Sequence, residues 1–103
     1  LKYDQFEYQT IKSNGKVETI KNSANTIINT SCEHIENFAE WYEKIPNGKL
    51  LILQSNNYFE IPEHVNCVND IEDFARISPM SQLLYQGELE LETYTRFMRI
   101  GIK

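Results

Sequence analysis

Glycine is scarce in this chain. Four occur among 103 residues, at positions 15, 48, 87 and 101. No two stand close enough to build a glycine-rich turn through which backbone amides approach a cofactor closely. Cysteine is scarcer still. Cys32 and Cys67 are too few for a disulfide-stapled secreted scaffold, so a reducing, cytoplasmic setting is expected. Positive charge is also short: ten Lys and Arg against fifteen Asp and Glu leave a net charge of −5. Nucleic acid is not an expected partner, because its recognition needs a clustered positive field. Only Arg96, Arg99 and Lys103 gather locally, and their spacing reads as a solvated strand face. The longest apolar run, Leu50 to Leu53, falls far short of the ~20 residues of a membrane-spanning helix. No membrane segment and no signal peptide are expected. The chain opens on Leu1 without a methionine, which reads as a trimmed or partial protein.

What is present is enough apolar residue for one small core, so residues 1–103 read as a single domain. Gln5 to Ile11 alternate aromatic and polar groups, Ser13-Asn14-Gly15 is a strong turn signal, and Lys16 to Ile20 reads as the returning arm of a hairpin. Residues 1–25 are therefore an N-terminal strand or hairpin. Thr26 to Asn29 reads as a buried strand. Thr30-x-x-Glu33 has the spacing of a capping box, and Ile35, Phe38, Ala39, Tyr42 and Ile45 follow helical periodicity, predicting a helix over 33–45 with Trp41 on its flank. Pro46-Asn47-Gly48 ends it. Leu50 to Leu53 is a second buried strand, Asn56 to Asn69 a polar loop, and Asn69-x-x-Glu72 opens a short helix. Residues 82–91 and 94–102 form an antiparallel hairpin, with a bulge or bend expected at Gly87. The order over 26–103 is β-α-β-α-β-β. The predicted fold class is α/β: a Rossmann-like three-layer half-domain whose mixed sheet has parallel strands and a C-terminal antiparallel hairpin.

In open α/β sheets ligands bind beyond the carboxyl ends of parallel strands. That rule places Asn29, Thr30, Ser31, Glu33 and His34 after the first buried strand on one rim with Gln54, Ser55, Asn56 and Asn57 after the second. Gln54 closes an apolar run and must find hydrogen-bond partners, whereas Asn56 and Asn57 also suit a plain turn. Glu33 also reads as a capping residue, and His34 as a locally bonded histidine at a helix start. Cys32, His34, His64 and Cys67 supply the number and type of ligands that zinc prefers, but their spacing matches no standard zinc module and no metal is assigned. Cys32 as a nucleophile paired with His34 is disfavoured, because residues two apart near a helix start point to different sides.

Several words of the sequence go together: Asn29-Thr30-Ser31-Cys32-Glu33-His34, Trp41 with Ile45-Pro46-x-Gly48, Leu53-Gln54-Ser55-Asn56-Asn57, Glu63-His64-Val65-Asn66, and Tyr94-x-Arg96-Phe97-Met98-x-Ile100-Gly101. From about Thr26 to the end the chain resembles the C-terminal half of class I S-adenosylmethionine-dependent methyltransferases, in a group of bacterial and phage methyltransferase-like proteins. The resemblance implies S-adenosylmethionine as cofactor and a small-molecule or macromolecular methyl acceptor. It places Asn29, Glu33 and His34 at the reaction, with Glu33 or His34 as the base, and gives Thr30, Ser31, Gln54, Asn56 and His64 to substrate or cofactor. The family's glycine-rich cofactor turn is absent from this chain. Either an N-terminal half completes the site, or the domain is a non-catalytic interaction or oligomerisation module, and a homo-oligomer fits both.

Overall fold

Strand outweighs helix, 42% to 16%, in the computed structural model, which describes residues 4–103. The strands are β1 (Gln5–Ile11), β2 (Val17–Ser23), β3 (Thr26–Asn29), β4 (Leu50–Asn56), β5 (Gln82–Glu90) and β6 (Thr95–Ile102). The helices are α1 (Phe38–Glu43) and α2 (Ile71–Ile77), with a single 3₁₀ turn at Cys32–His34. β1 and β2 form a separate antiparallel ribbon; the other four strands make one mixed sheet in the order β3-β4-β6-β5. β3 and β4 run parallel, with Thr26 opposite Leu50 and Asn29 opposite Leu53. β6 lies antiparallel between β4 and β5. The expected sheet over 26–29, 50–54, 82–91 and 94–102 is thus present, with the parallel and antiparallel pairings as read from the sequence.

The three-layer Rossmann-like architecture is overturned. The chain has two sheets and too little helix for it. In the mixed sheet, Ile27, Leu51, Leu53 and Phe97 fall on one face by register. They form the core with Phe38, Tyr42, Ile45, Val68 and Phe74. The opposite face carries Ile28, Ile52, Ile100, Tyr85 and Leu89, and no helix among the described residues covers it: Ile28, Tyr85 and Leu89 are more than half exposed. The strands read as apolar on both faces, which is the pattern of strands buried on both, but only one face is covered here.

The helix expected over 33–45 is broken. Ile35 adopts extended backbone after the 3₁₀ turn. Asn37 then caps α1, its side-chain oxygen accepting from the Glu40 amide at 3.3 Å. A short polar side chain that can bond to the next turn favours a new helix start over continuation. The box expected at Thr30 and Glu33 does not form: Ser31 is the N-cap, without a side-chain bond, and Glu33 is buried. At α2 the box is shifted by one residue. Asp70 accepts from the Asp73 amide at 2.8 Å, and Asp73 accepts from the Asn69 amide at 3.2 Å. The bulge of β5 falls between Leu83 and Tyr85, and not at Gly87. Gly87 lies under the Tyr85 ring, where a Cβ would collide with it.

The ribbon is longer than its sequence signal, returning through Ser23. Gly15 sits at its tip with φ +82°, a conformation that favours glycine. Bonds at Asp4, Ala24 and Lys49 fasten its base to the body. The Ala24 amide donates to the Asp4 carbonyl at 2.6 Å, and Lys49 Nζ meets the buried Asp4 carboxylate at 3.0 Å and the Ala24 carbonyl at 2.7 Å.

Candidate functional site

β3 ends at Asn29 beside Leu53 of the parallel β4, which runs on to Asn56, and the residues around this rim divide into two groups. At the end of β3, Asn29 Oδ1 accepts from the Ser31 amide at 2.9 Å, which bends the chain sharply after the strand; on the open face lie Gln54 and Arg96. Gln54 Oε1 accepts from Arg96 Nη2 at 2.9 Å, and the same nitrogen reaches the Thr30 carbonyl at 3.4 Å. Arg96 thus ties β6 to β4 and to the first residue after β3. A shallow pocket of about 180 Å³ beside it is bounded by Gln54, Arg96, Tyr85, Leu89 and Met98. Arg96 was read from sequence as a solvated strand residue. Its role follows from β6 pairing with β4 in the register that puts Arg96 opposite Asn56, which the spacing alone does not reveal.

On the helical side the 3₁₀ turn presents Glu33 and His34, and the loop after β4 folds back to bring His64 against them. Asn66 sets this approach: its amide donates to the Glu33 carbonyl at 2.9 Å, and its Nδ2 to the Cys32 carbonyl at 3.1 Å. The His34 and His64 rings meet edge to face, 4.6 Å between centroids. His34 Nε2 stands 4.0 Å from Glu33 Oε1. His64 Nδ1 lies 2.8 Å from the Tyr58 carbonyl; a carbonyl only accepts, so Nδ1 carries the proton and Nε2 keeps its lone pair. Glu33 is buried, and its Oε2 has no hydrogen-bond partner among the described residues.

Asn56, read as a binding residue, is only 2% exposed. Its Oδ1 accepts from the Tyr58 amide at 3.1 Å and faces Cys67 Sγ at 3.5 Å, so it organises the loop from within. Asn57 takes the Thr95 amide at 2.8 Å and secures the loop to the start of β6. The structure therefore gathers Thr30, Gln54 and Arg96 in one group and Glu33, His34 and His64 in another, while Asn29 and Ser31 form the bend between them. Neither thiol joins. Cys32 Sγ points at the Asn29 carbonyl, 3.5 Å away, and burial, aided by the Glu33 charge, pushes its pKa up to about 12. Burial and the same charge also raise Cys67. Both therefore stay protonated at neutral pH, and neither is a ready nucleophile.

No family model, curated protein or solved structure matches this chain. No helix among the described residues is long and apolar enough to cross a membrane.

Proposed function

We propose that this domain is the acceptor-facing part of an S-adenosylmethionine-dependent methyltransferase. The observation that carries the reading is the rim itself. β3 ends at Asn29 beside Leu53 of the parallel β4, and Arg96 ties the first residue after β3 to Gln54, the next residue of β4. Methyl transfer asks the protein chiefly to align an acceptor, with a base only where the acceptor carries a proton. At this rim Asn29 keeps an amide donor after its oxygen is engaged with Ser31, and the half-exposed His34 imidazole offers a proton acceptor.

The residues present do not fit the whole cofactor. The described glycines with positive φ, Gly15 and Gly48, stand at the ribbon tip and at the amino end of β4, away from the rim. The grip on the cofactor belongs to structure outside these residues. The chain alone should therefore bind S-adenosylmethionine or S-adenosylhomocysteine no more tightly than about 1 mM, since each missing strong hydrogen bond costs roughly 1.5–3 kcal/mol. Amide chemical-shift mapping with S-adenosylhomocysteine checks both points. Weak shifts clustered at residues 29–34 and 54 support the reading. Shifts elsewhere, or none at concentrations of about 10 mM, reject it.

A second reading is an assembly module, favoured by the uncovered apolar face of the sheet and by the free edge of β5.

A further inference from the structure

Glu33, His34 and His64 come from two segments that are brought together only by the fold, and their ligand atoms all lie within 4.8 Å of one another. Two further features set the group apart from a chance surface cluster. Glu33 Oε2 is buried without a hydrogen-bond partner among the described residues, on a side chain 5% exposed. A buried carboxylate oxygen needs compensation by a positive charge or donors. His64 is held as ligating histidines commonly are, with Nδ1–H donating to the Tyr58 backbone carbonyl and Nε2 left to face outward from that bond.

We infer that Glu33, His34 and His64 bind a divalent transition-metal ion of the zinc class. Two imidazoles and one carboxylate suit such a borderline cation, and three protein ligands leave a position for water. Tetrahedral bonds of about 2.1 Å put ligand atoms roughly 3.4 Å apart, so separations of up to 4.8 Å must close by as much as about 1.4 Å. His34 makes this movement, since its side chain is 45% exposed while Glu33 is fixed by burial. The thiols remain outside the shell, Cys67 being directed to Asn56 and the Tyr58 carbonyl. The inference does not depend on methyl transfer: failure to bind S-adenosylhomocysteine leaves it standing.

The test is calorimetric titration of the 103-residue chain with zinc chloride, repeated on variants whose folding is verified by circular dichroism. One saturable site is expected. Affinity should drop at least about tenfold in Glu33→Gln and more in His64→Ala, and be unchanged in Cys67→Ser. X-ray absorption of the zinc-loaded protein should show only nitrogen and oxygen neighbours at about 2.0–2.1 Å, with no sulfur shell. Absence of saturable binding, binding indifferent to Glu33→Gln, or a sulfur shell with loss of affinity in Cys67→Ser would each overturn the assignment.

Discussion

Cys32 is fully buried in the core beside the candidate site, and its behaviour links that core to pH. Its pKa rises from 9.0 to about 12, first because burial disfavours the thiolate and second because Glu33 is close. The unfolded chain loses this proton near pH 9 while the native state keeps it, so stability is full below that point and falls as the pH climbs toward 12. Tyr42, whose hydroxyl donates to the Pro79 carbonyl, moves in the same sense from 10.0 to about 12. Lys103 works the other way, because burial lowers its pKa and native stability gains as the ammonium deprotonates. The urea midpoint should therefore begin to fall near pH 9, and the fall between pH 9 and 10 should be shallower in Cys32→Ala, where only the raised Cys67 thiol still contributes before Tyr42 takes over. A slope over pH 9–10 unchanged in the variant would show that the Cys32 thiol is not held protonated. At this scale the sequence was partly legible. Polar and reactive residues after a β-branched run marked Glu33 and His34. His64 was grouped with His34 as a candidate ligand, but that Glu33 and not the two cysteines would complete the group depended on how a fourteen-residue polar loop folds back, which no local pattern encodes.

Among the elements, the two short helices owe their ends to single side chains. Asp70 caps α2 through the Asp73 amide, and Asp73 in turn bonds Arg76 and Asn69. Removing the cap by Asp70→Ala should cost about 1 kcal/mol, read as a lower denaturant midpoint with an unchanged m-value. Helix α2 carries Phe74, which is completely buried, so truncating it to Ala should cost roughly 3–5 kcal/mol, the usual range for a large core side chain. The strands and their pairing were readable from runs of Leu, Ile and Val and from turn residues. The long helix was misread because Ile35, Phe38, Ala39, Tyr42 and Ile45 keep helical spacing across a break that Asn37 imposes. Periodicity reports which residues face the core; it does not report whether the backbone is continuous between them.

For the molecule as a whole, the decisive feature is asymmetry. One sheet face carries the core, and the other presents Ile28, Ile52, Ile100, Tyr85 and Leu89 without a covering layer. Continuous apolar runs in β3 and β4 encode burial on both faces, which is why the sequence pointed to three layers. The covering layer itself is not written in those strands. An exposed patch of this kind favours association. Light scattering should show concentration-dependent self-association at neutral pH, reduced by the double substitution Ile28→Lys with Leu89→Lys. A monomer at all concentrations would count against the assembly reading.

Asn66 holds the 3₁₀ turn through two backbone carbonyls that lie more than thirty residues away in the chain. Two bonds, one from its side chain and one from its own backbone amide, tie the turn to the loop that carries His64, whereas a continuous seven-pair ladder joins β4 to β6. Few bonds mean a low local opening free energy, so hydrogen exchange at the Asn66 amide should be faster than in the β4–β6 ladder beneath it. The readiness of the Glu33–His34–His64 group for a ligand is set by the lifetime of one asparagine's pair of bonds, and a ligand spanning both segments would lengthen that lifetime in proportion to its own affinity.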